Sequence, residues 1–241
     1  MFKKPICQDP PCLKRKIGVK VYIDDRLWDM MSEDASDPTE KIIEQMEKIF
    51  EGINKHLDNL DNGGYIMDFD KKVVKLDNSD IVLKNTYVDR VDGNVTKVFD
   101  ADQIWALTFA FQESVELLKN RNAVDLRILM THKSKSDSDA EKIGMAEELC
   151  LCNPQTFACI AVFAIEHLNY WAYQEGVFTH EIGHSLGMDA HDDDFYTANP
   201  GDRLLMWSAV GSEANIWSPE AKRRINQHNK SCLATMDLSS K

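Results

Sequence analysis

The chain contains no apolar run near the ~20 residues that a membrane-spanning helix needs; its longest greasy stretch, Phe157 to Ile165, reads as a buried strand. It is poor in basic residues, with 28 Lys and Arg against 40 Asp and Glu and a net charge of −12. Phosphate binding needs clustered cations, so this balance argues against a nucleic-acid partner, and Lys222-Arg223-Arg224 is too short to serve as a basic patch. Glycine and proline are sparse, at 11 and 7 of 241 residues, which excludes collagen-like and low-complexity classes. Six cysteines are present but no C-x-x-C pair, which disfavours a zinc ribbon or a thioredoxin-type motif. The start, Met1-Phe2-Lys3-Lys4-Pro5, lacks the apolar core of a signal peptide. On composition alone the chain is either cytosolic with free thiols or the processed form of a secreted protein.

What is present describes a globular α/β (α+β) domain, with 43% hydrophobic residues to build a core. Residues 1–16, broken by Pro5, Pro10 and Pro11, read as an N-terminal arm, and residues 17–241 as the folded domain. Gly18 to Ile23 alternates as a strand does. After Ser36-Asp37-Pro38, apolar residues recur at three and four from Ile42 to Leu60, which predicts a long amphipathic helix. Tyr65 to Val88 reads as strands and loops, and Asp92-Gly93-Asn94 as a turn. Asp100 with Gln103 opens a second helix running to about Leu118. Strands are expected over Val124 to Met130, Gly144 to Cys150 and Phe157 to Phe163, and a helix from about Tyr173 to Leu186. Ser218-Pro219-Glu220 starts the last helix, with Ser as cap and Pro in the first helical position. This order predicts a mixed sheet backed by helices, then a loop-rich C-terminal part.

The chemistry concentrates in His180-Glu181-Ile182-Gly183-His184. Residues four apart share a helix face, so both histidines can reach one metal ion. Neutral imidazole is a good zinc ligand, and Glu181 projects beside such a metal as a base for its water. Gly187 follows His184 by three residues, where a glycine can end a helix. His191 and Asp192 lie just beyond, and Met206 comes fifteen residues after His191.

This stretch, "HEIGHSLGMDAHD" at 180–192, resembles the extended zinc signature of the metzincins. The Asp after the last His is similar to the reprolysin (adamalysin) branch, in the style of its short secreted arthropod or venom-type members. Lys20 to Asp25 resembles that branch's first strand. Gly144-Met145-Ala146, with Cys152 eight residues after the Gly, resembles its substrate-binding edge strand and following Cys. Ser218 to Cys232 resembles its closing helix and Cys. The resemblance implies a metzincin-type domain with a mixed five-stranded sheet, an active-site helix and a loop-rich C-terminal subdomain. It implies zinc on His180, His184 and His191, Glu181 as general base, and Met206 as the floor beneath the histidines. Gly144 to Leu149 would pair with an extended substrate, and Ser208, Ala209 and Val210 would line the primed-side pocket. It also suggests Cys152 paired with Cys232, leaving Cys150 with Cys159 and Cys7 with Cys12.

Two features depart from that pattern. Met188-Asp189-Ala190 carries one residue more than the family spacing, so Ala190 occupies the expected ligand position. His191 is the expected ligand, with Asp189 or Asp192 as carboxylate alternatives. Val19 and Thr235 stand near the family's calcium positions, so calcium is not predicted. The histidines His56, His132 and His228 read as surface or core residues, and His167 as at best a support for the ligands. The expected function is a secreted, monomeric zinc endopeptidase acting on protein or peptide substrates, in a mature form lacking signal and pro-segment. The competing class is a binding protein that keeps the fold but has lost turnover. A purely structural zinc domain is disfavoured, because such sites use four protein ligands.

Overall fold

The structure is a computed structural model. It describes residues 13–32, 37–58, 60, 64–76, 88–91, 95–98, 111, 125–132, 144–153, 159–165, 171–196, 204–208, 214–228 and 230–237. In chain order the elements are β1 (Leu13–Ile23), α1 (Asp25–Ser32), α2 (Thr39–Leu57), β2 (Tyr65–Lys75), β3 (Val88–Val91) and β4 (Val95–Val98). These are followed by β5 (Leu126–His132), β6 (Gly144–Ala146), β7 (Ile160–Ile165), α3 (Trp171–Leu186), α4 (Pro219–Gln227) and β8 (Thr235–Asp237). Among the described residues no helix is long and apolar enough to cross a membrane.

The main sheet runs β2-β1-β5-β7-β6. Its first four strands are mutually parallel, and β6 lies antiparallel on β7 at one edge. This is the mixed five-stranded sheet expected from the sequence. A short sixth strand, β8, pairs antiparallel with the start of β1. β1 begins at Leu13, so the last four residues read as arm lie in the sheet. β3 and β4 form a separate antiparallel pair; the turn expected between them lies outside the described residues.

Parallel strands are covered on both faces, and the pleat sends alternate side chains each way. Ile17, Val19, Val21 and Ile23 of β1 join Leu126, Ile128 and Met130 of β5 and Ala161, Phe163 and Ile165 of β7 in one core. Tyr22, Leu129, Ile160, Val162 and Ala164 form the core on the opposite face, with Phe111. Phe111 meets the Tyr22 ring edge-on at 5.1 Å. It falls in the helix expected after Asp100, whose other residues lie outside the described set.

The first core is closed by α2 and α3. Ile42, Met46, Ile49, Phe50, Ile53 and Leu57 of α2 are all buried, each such side chain contributing about 1.5–3 kcal/mol on leaving water. The helix starts at Thr39, where the Asp37 carboxylate accepts from the Thr39 N–H, and ends at Leu57 rather than Leu60. Phe178 of α3 stacks on Phe163 of β7 with centroids 3.6 Å apart. Helix α1 is absent from the sequence reading. Its signal is Asp24, whose carboxylate accepts from Leu27 N–H as an N-cap, with Leu27 and Met31 buried one turn apart.

One expected strand is corrected. Gly144 to Cys150 forms strand only over Gly144–Ala146, with Glu147 N–H donating to Ile160 O at its end. Beyond it the chain turns down onto the C-terminal end of α3, where Leu149 N–H donates to His184 O and Leu151 N–H to Ser185 O. The last carbonyls of a helix need donors, and this segment supplies two of them. Cys150–Cys159 and Cys152–Cys232 are bonded as expected; Cys7 and Cys12 lie outside the described residues.

The Cys152–Cys232 link spans 80 residues and the Cys150–Cys159 link nine. On the chain-entropy account, removing the first costs about 4.5 kcal/mol and removing the second about 2.5 kcal/mol. Urea unfolding of the two double-Ala variants measures both; a larger loss from the short loop would contradict the account.

Candidate metal centre

Helix α3 is buried all round from Gly176 to Leu186, which is how a helix in a core behaves. Ionisable groups are rarely buried unless they are paired or ligated. Yet His180, Glu181 and His184 stand on this helix with at most 8% of their surface exposed.

The two histidines are oriented by backbone carbonyls. His180 Nδ1 lies 2.7 Å from Leu205 O, and His184 Nδ1 lies 2.6 Å from Met188 O. A carbonyl oxygen only accepts, so each Nδ1 carries the proton and each Nε2 presents a lone pair. Those two Nε2 atoms are 3.1 Å apart. Two lone pairs facing at this distance repel unless a cation lies between them. Ligands about 2.05 Å from a tetrahedral zinc stand about 3.3 Å from each other, so the spacing fits a metal.

His191 completes the set. The three histidines offer ligand atoms all within 4.8 Å of one another, and their ring centroids form a triangle with sides of 4.7, 5.0 and 5.3 Å. Burial is the largest influence on both helical imidazoles. It holds His180 down to about 3, with His184 adding to the effect, and His184 down to about 4 against the pull of the Met188 carbonyl. Both are therefore neutral at ordinary pH, the form that binds metal. A group of three imidazoles, with no fourth His, Cys, Asp or Glu in it among the described residues, matches the donor set of a catalytic zinc better than that of a structural one.

The turn after α3 delivers the third histidine. Gly187 N–H bonds His184 O at 3.1 Å and Met188 N–H bonds Gly183 O at 3.0 Å, the paired bonds of a Schellman end. Gly187 has φ +131°, and a side chain there would strike His228, so both conformation and space call for glycine. Met206 lies fully buried below. A Cβ on Gly183 would overlap Met206 Sδ and touch the Trp217 ring, which puts the methionine directly beneath the ligand-bearing helix turn. Gly144 lies over the other side of α3. A Cβ there would come within 2.9 Å of the Glu181 carboxylate, so the first residue of the edge strand β6 abuts the candidate base. Met145 and Ala146 pair with Val162 and Ala161. Ser208 is exposed, and Ala209 and Val210 lie outside the described residues.

With this geometry in hand, comparison with known proteins is decisive on one point. A reprolysin-type sequence model of metallo-peptidase family M12 matches residues 13–218. The chain belongs to metallo-peptidase family M12. No curated protein sequence matches it significantly. Among solved structures it resembles the crystal structure of metalloproteinase-II from Bacteroides fragilis, at 14% identity and a TM-score of 0.48, over 90% of this chain and 53% of that one. It also resembles a chain in the structure of a chaperone-substrate complex, at 13% identity and a TM-score of 0.54, over 90% of this chain and 35% of the other. The chain thus spans about half or less of these neighbours' lengths.

In this M12 chain the extra residue before His191 is taken up by the loop. Asp189, one alternative ligand, turns outward to an ion pair with Arg224 of α4; Arg224 also bonds Glu220 at 2.8 Å and lies over the Phe195 ring. Asp192, the other alternative, is fully buried and accepts from Ser218 Oγ, the same hydroxyl that caps α4 by accepting from Ala221 N–H. Burial pushes the Asp192 carboxyl up, with the Ser218 bond opposing. Neither carboxylate is part of the three-histidine group. The sequence carries no signal for Leu205 O and Met188 O as partners of His180 and His184, since backbone carbonyls have no residue type to mark them. The Asp189–Arg224 pair spans 35 positions and is equally invisible in a linear reading.

Zinc content of three purified variants checks this placement. His191→Ala loses metal, Asp189→Ala retains one ion per chain, and Asp192→Ala weakens binding about 10- to 100-fold through lost support. Full metal in His191→Ala with loss in Asp189→Ala would move the third ligand to the carboxylate.

Proposed function

We propose that this chain is a zinc-dependent endopeptidase acting on extracellular proteins. The observation that carries the reading is the pairing of a three-imidazole cluster with a buried glutamate, Glu181, one residue along the same helix and against the edge strand. When bound at His180, His184 and His191, zinc supplies a Lewis acid that acidifies a water molecule and polarises a carbonyl.

The remaining work falls to the chain's own groups. Glu181 takes a proton from the attacking water and passes it to the amide nitrogen as the C–N bond breaks, so that acid and amine products leave in balance. Its burial beside β6 keeps the carboxylate close to where a substrate main chain runs. β6 (Gly144–Ala146), the outermost strand on that side of the sheet among the described residues, would pair with an extended peptide, and Met206 packs under the ligand helix to hold its floor. Ser208, with Ala209 and Val210, is read as the wall of the pocket for the side chain that follows the scissile bond. Two disulfides support an extracellular setting. The convergence of His191 on the other two ligands favours turnover over a binding protein that has lost it.

Glu181→Gln separates binding from chemistry. The variant should hold one zinc per chain and keep its thermal midpoint, while kcat on an unstructured protein substrate falls about 10²- to 10⁴-fold. Near-normal turnover in a metal-loaded Glu181→Gln variant would sink the mechanism; no hydrolysis by the metal-loaded parent would favour the binding-protein alternative.

A further inference from the structure

We propose that Asp193 is a positioning residue, whose carboxylate clasps Ser208 and thereby sets the wall of the substrate pocket relative to the third histidine. The inference rests on the peptidase reading and adds a specificity device to it. The clasp has two points. Ser208 N–H donates to Asp193 Oδ1 at 3.1 Å, and Ser208 Oγ–H donates to Asp193 Oδ2. Both oxygens of one carboxylate thus hold one residue, which fixes its backbone and its side chain together.

The placement gives the clasp its consequence. Asp193 stands two residues after His191, and Ser208 stands two after Met206. The segment 205–208 is bonded along its length to the metal-binding parts. Leu205 O accepts from His180 Nδ1. Met206 O accepts from Asp192 N–H at 2.7 Å. Ser208 then closes on Asp193. The first ligand, the floor and the third-ligand loop are therefore stitched in sequence, and the last stitch falls on the first residue of the proposed pocket wall. Both clasp residues are exposed, so their bond adds little to the core. His191 is held independently, because its N–H donates to Asp194 Oδ2 at 3.0 Å and the preceding turn is fixed at Gly187. Loss of the clasp should free the wall and leave the metal in place.

Asn and Ala at position 193 distinguish geometry from charge. Asp193→Asn keeps an oxygen for Ser208 N–H and offers an amide N–H to Ser208 Oγ, whereas Asp193→Ala removes both contacts. The experiment has two readouts on the zinc-loaded chain, each also taken for Ser208→Ala in case Asp193→Ala fails to fold. The first is amide hydrogen exchange at Ser208. Exchange should stay slow in the parent and in Asp193→Asn and rise about tenfold in Asp193→Ala. The second is kcat and KM on peptides that vary only in the residue following the scissile bond. The spread in kcat/KM should narrow about tenfold in Asp193→Ala, chiefly through KM, with one zinc retained. Ser208→Ala should narrow it partway, and adding it to Asp193→Ala should change nothing further. Unchanged exchange and selectivity in Asp193→Ala would overturn the clasp while leaving the peptidase reading intact. An Asp193→Asn variant as altered as Asp193→Ala would overturn it in favour of a simple charge effect. A parent chain that exchanges slowly at Ser208 but hydrolyses no peptide would remove the peptidase reading and the pocket role with it.

Discussion

Two imidazole nitrogens face each other at 3.1 Å, each with its proton committed to a backbone carbonyl on the far side of the ring. On a helix buried from Gly176 to Leu186, two such lone pairs repel one another. A proton could bridge the pair only by placing a charge where burial opposes it. A metal ion held by both nitrogens would resolve the conflict at the spacing observed. The surrounding structure fixes the rings so that they cannot turn away: Leu205 and Met188 hold them from outside the helix, and Met206 and Trp217 fill the space beneath Gly183.

That fixation explains why the loop-rich C-terminal part is built as it is. Its described residues reach the candidate site through specific bonds. Ser218 caps α4 and supports Asp192 with one hydroxyl. Asp189, the residue within the lengthened loop, is turned to Arg224 and away from the cluster. A loop beyond a helix end can absorb an added residue because no ladder of hydrogen bonds runs through it. The same addition inside α3 would rotate His184 off the shared face by about 100°.

The legible parts of the sequence were those with a strong period or a strong residue type. The period from Ile42 to Leu60 announces α2, Ser218-Pro219 announces the start of α4, and the apolar run ending at Ile165 announces a buried strand. The histidine pair of the candidate metal centre is legible because His180 and His184 stand four apart on one helix. The end of β6 is not, since the residues after Glu147 have strand-like composition but the chain leaves β7 there, and Leu149 and Leu151 donate to the carbonyls at the end of α3. Helix α1 was missed because eight residues give too few turns for a period to show. The carbonyl partners of the ligands and the carboxylate contacts of Asp189 and Asp193 are long-range facts that only the folded chain supplies.

The central claim is that three imidazoles and no carboxylate from the chain hold one metal ion. X-ray absorption at the zinc edge, on the purified chain loaded with one equivalent, tests it without reference to activity. The account predicts three nitrogen scatterers at about 2.0–2.1 Å with the outer-ring signal of imidazole, and one further light atom from solvent. Two imidazoles with a bidentate carboxylate, or a sulfur at about 2.3 Å, would contradict it.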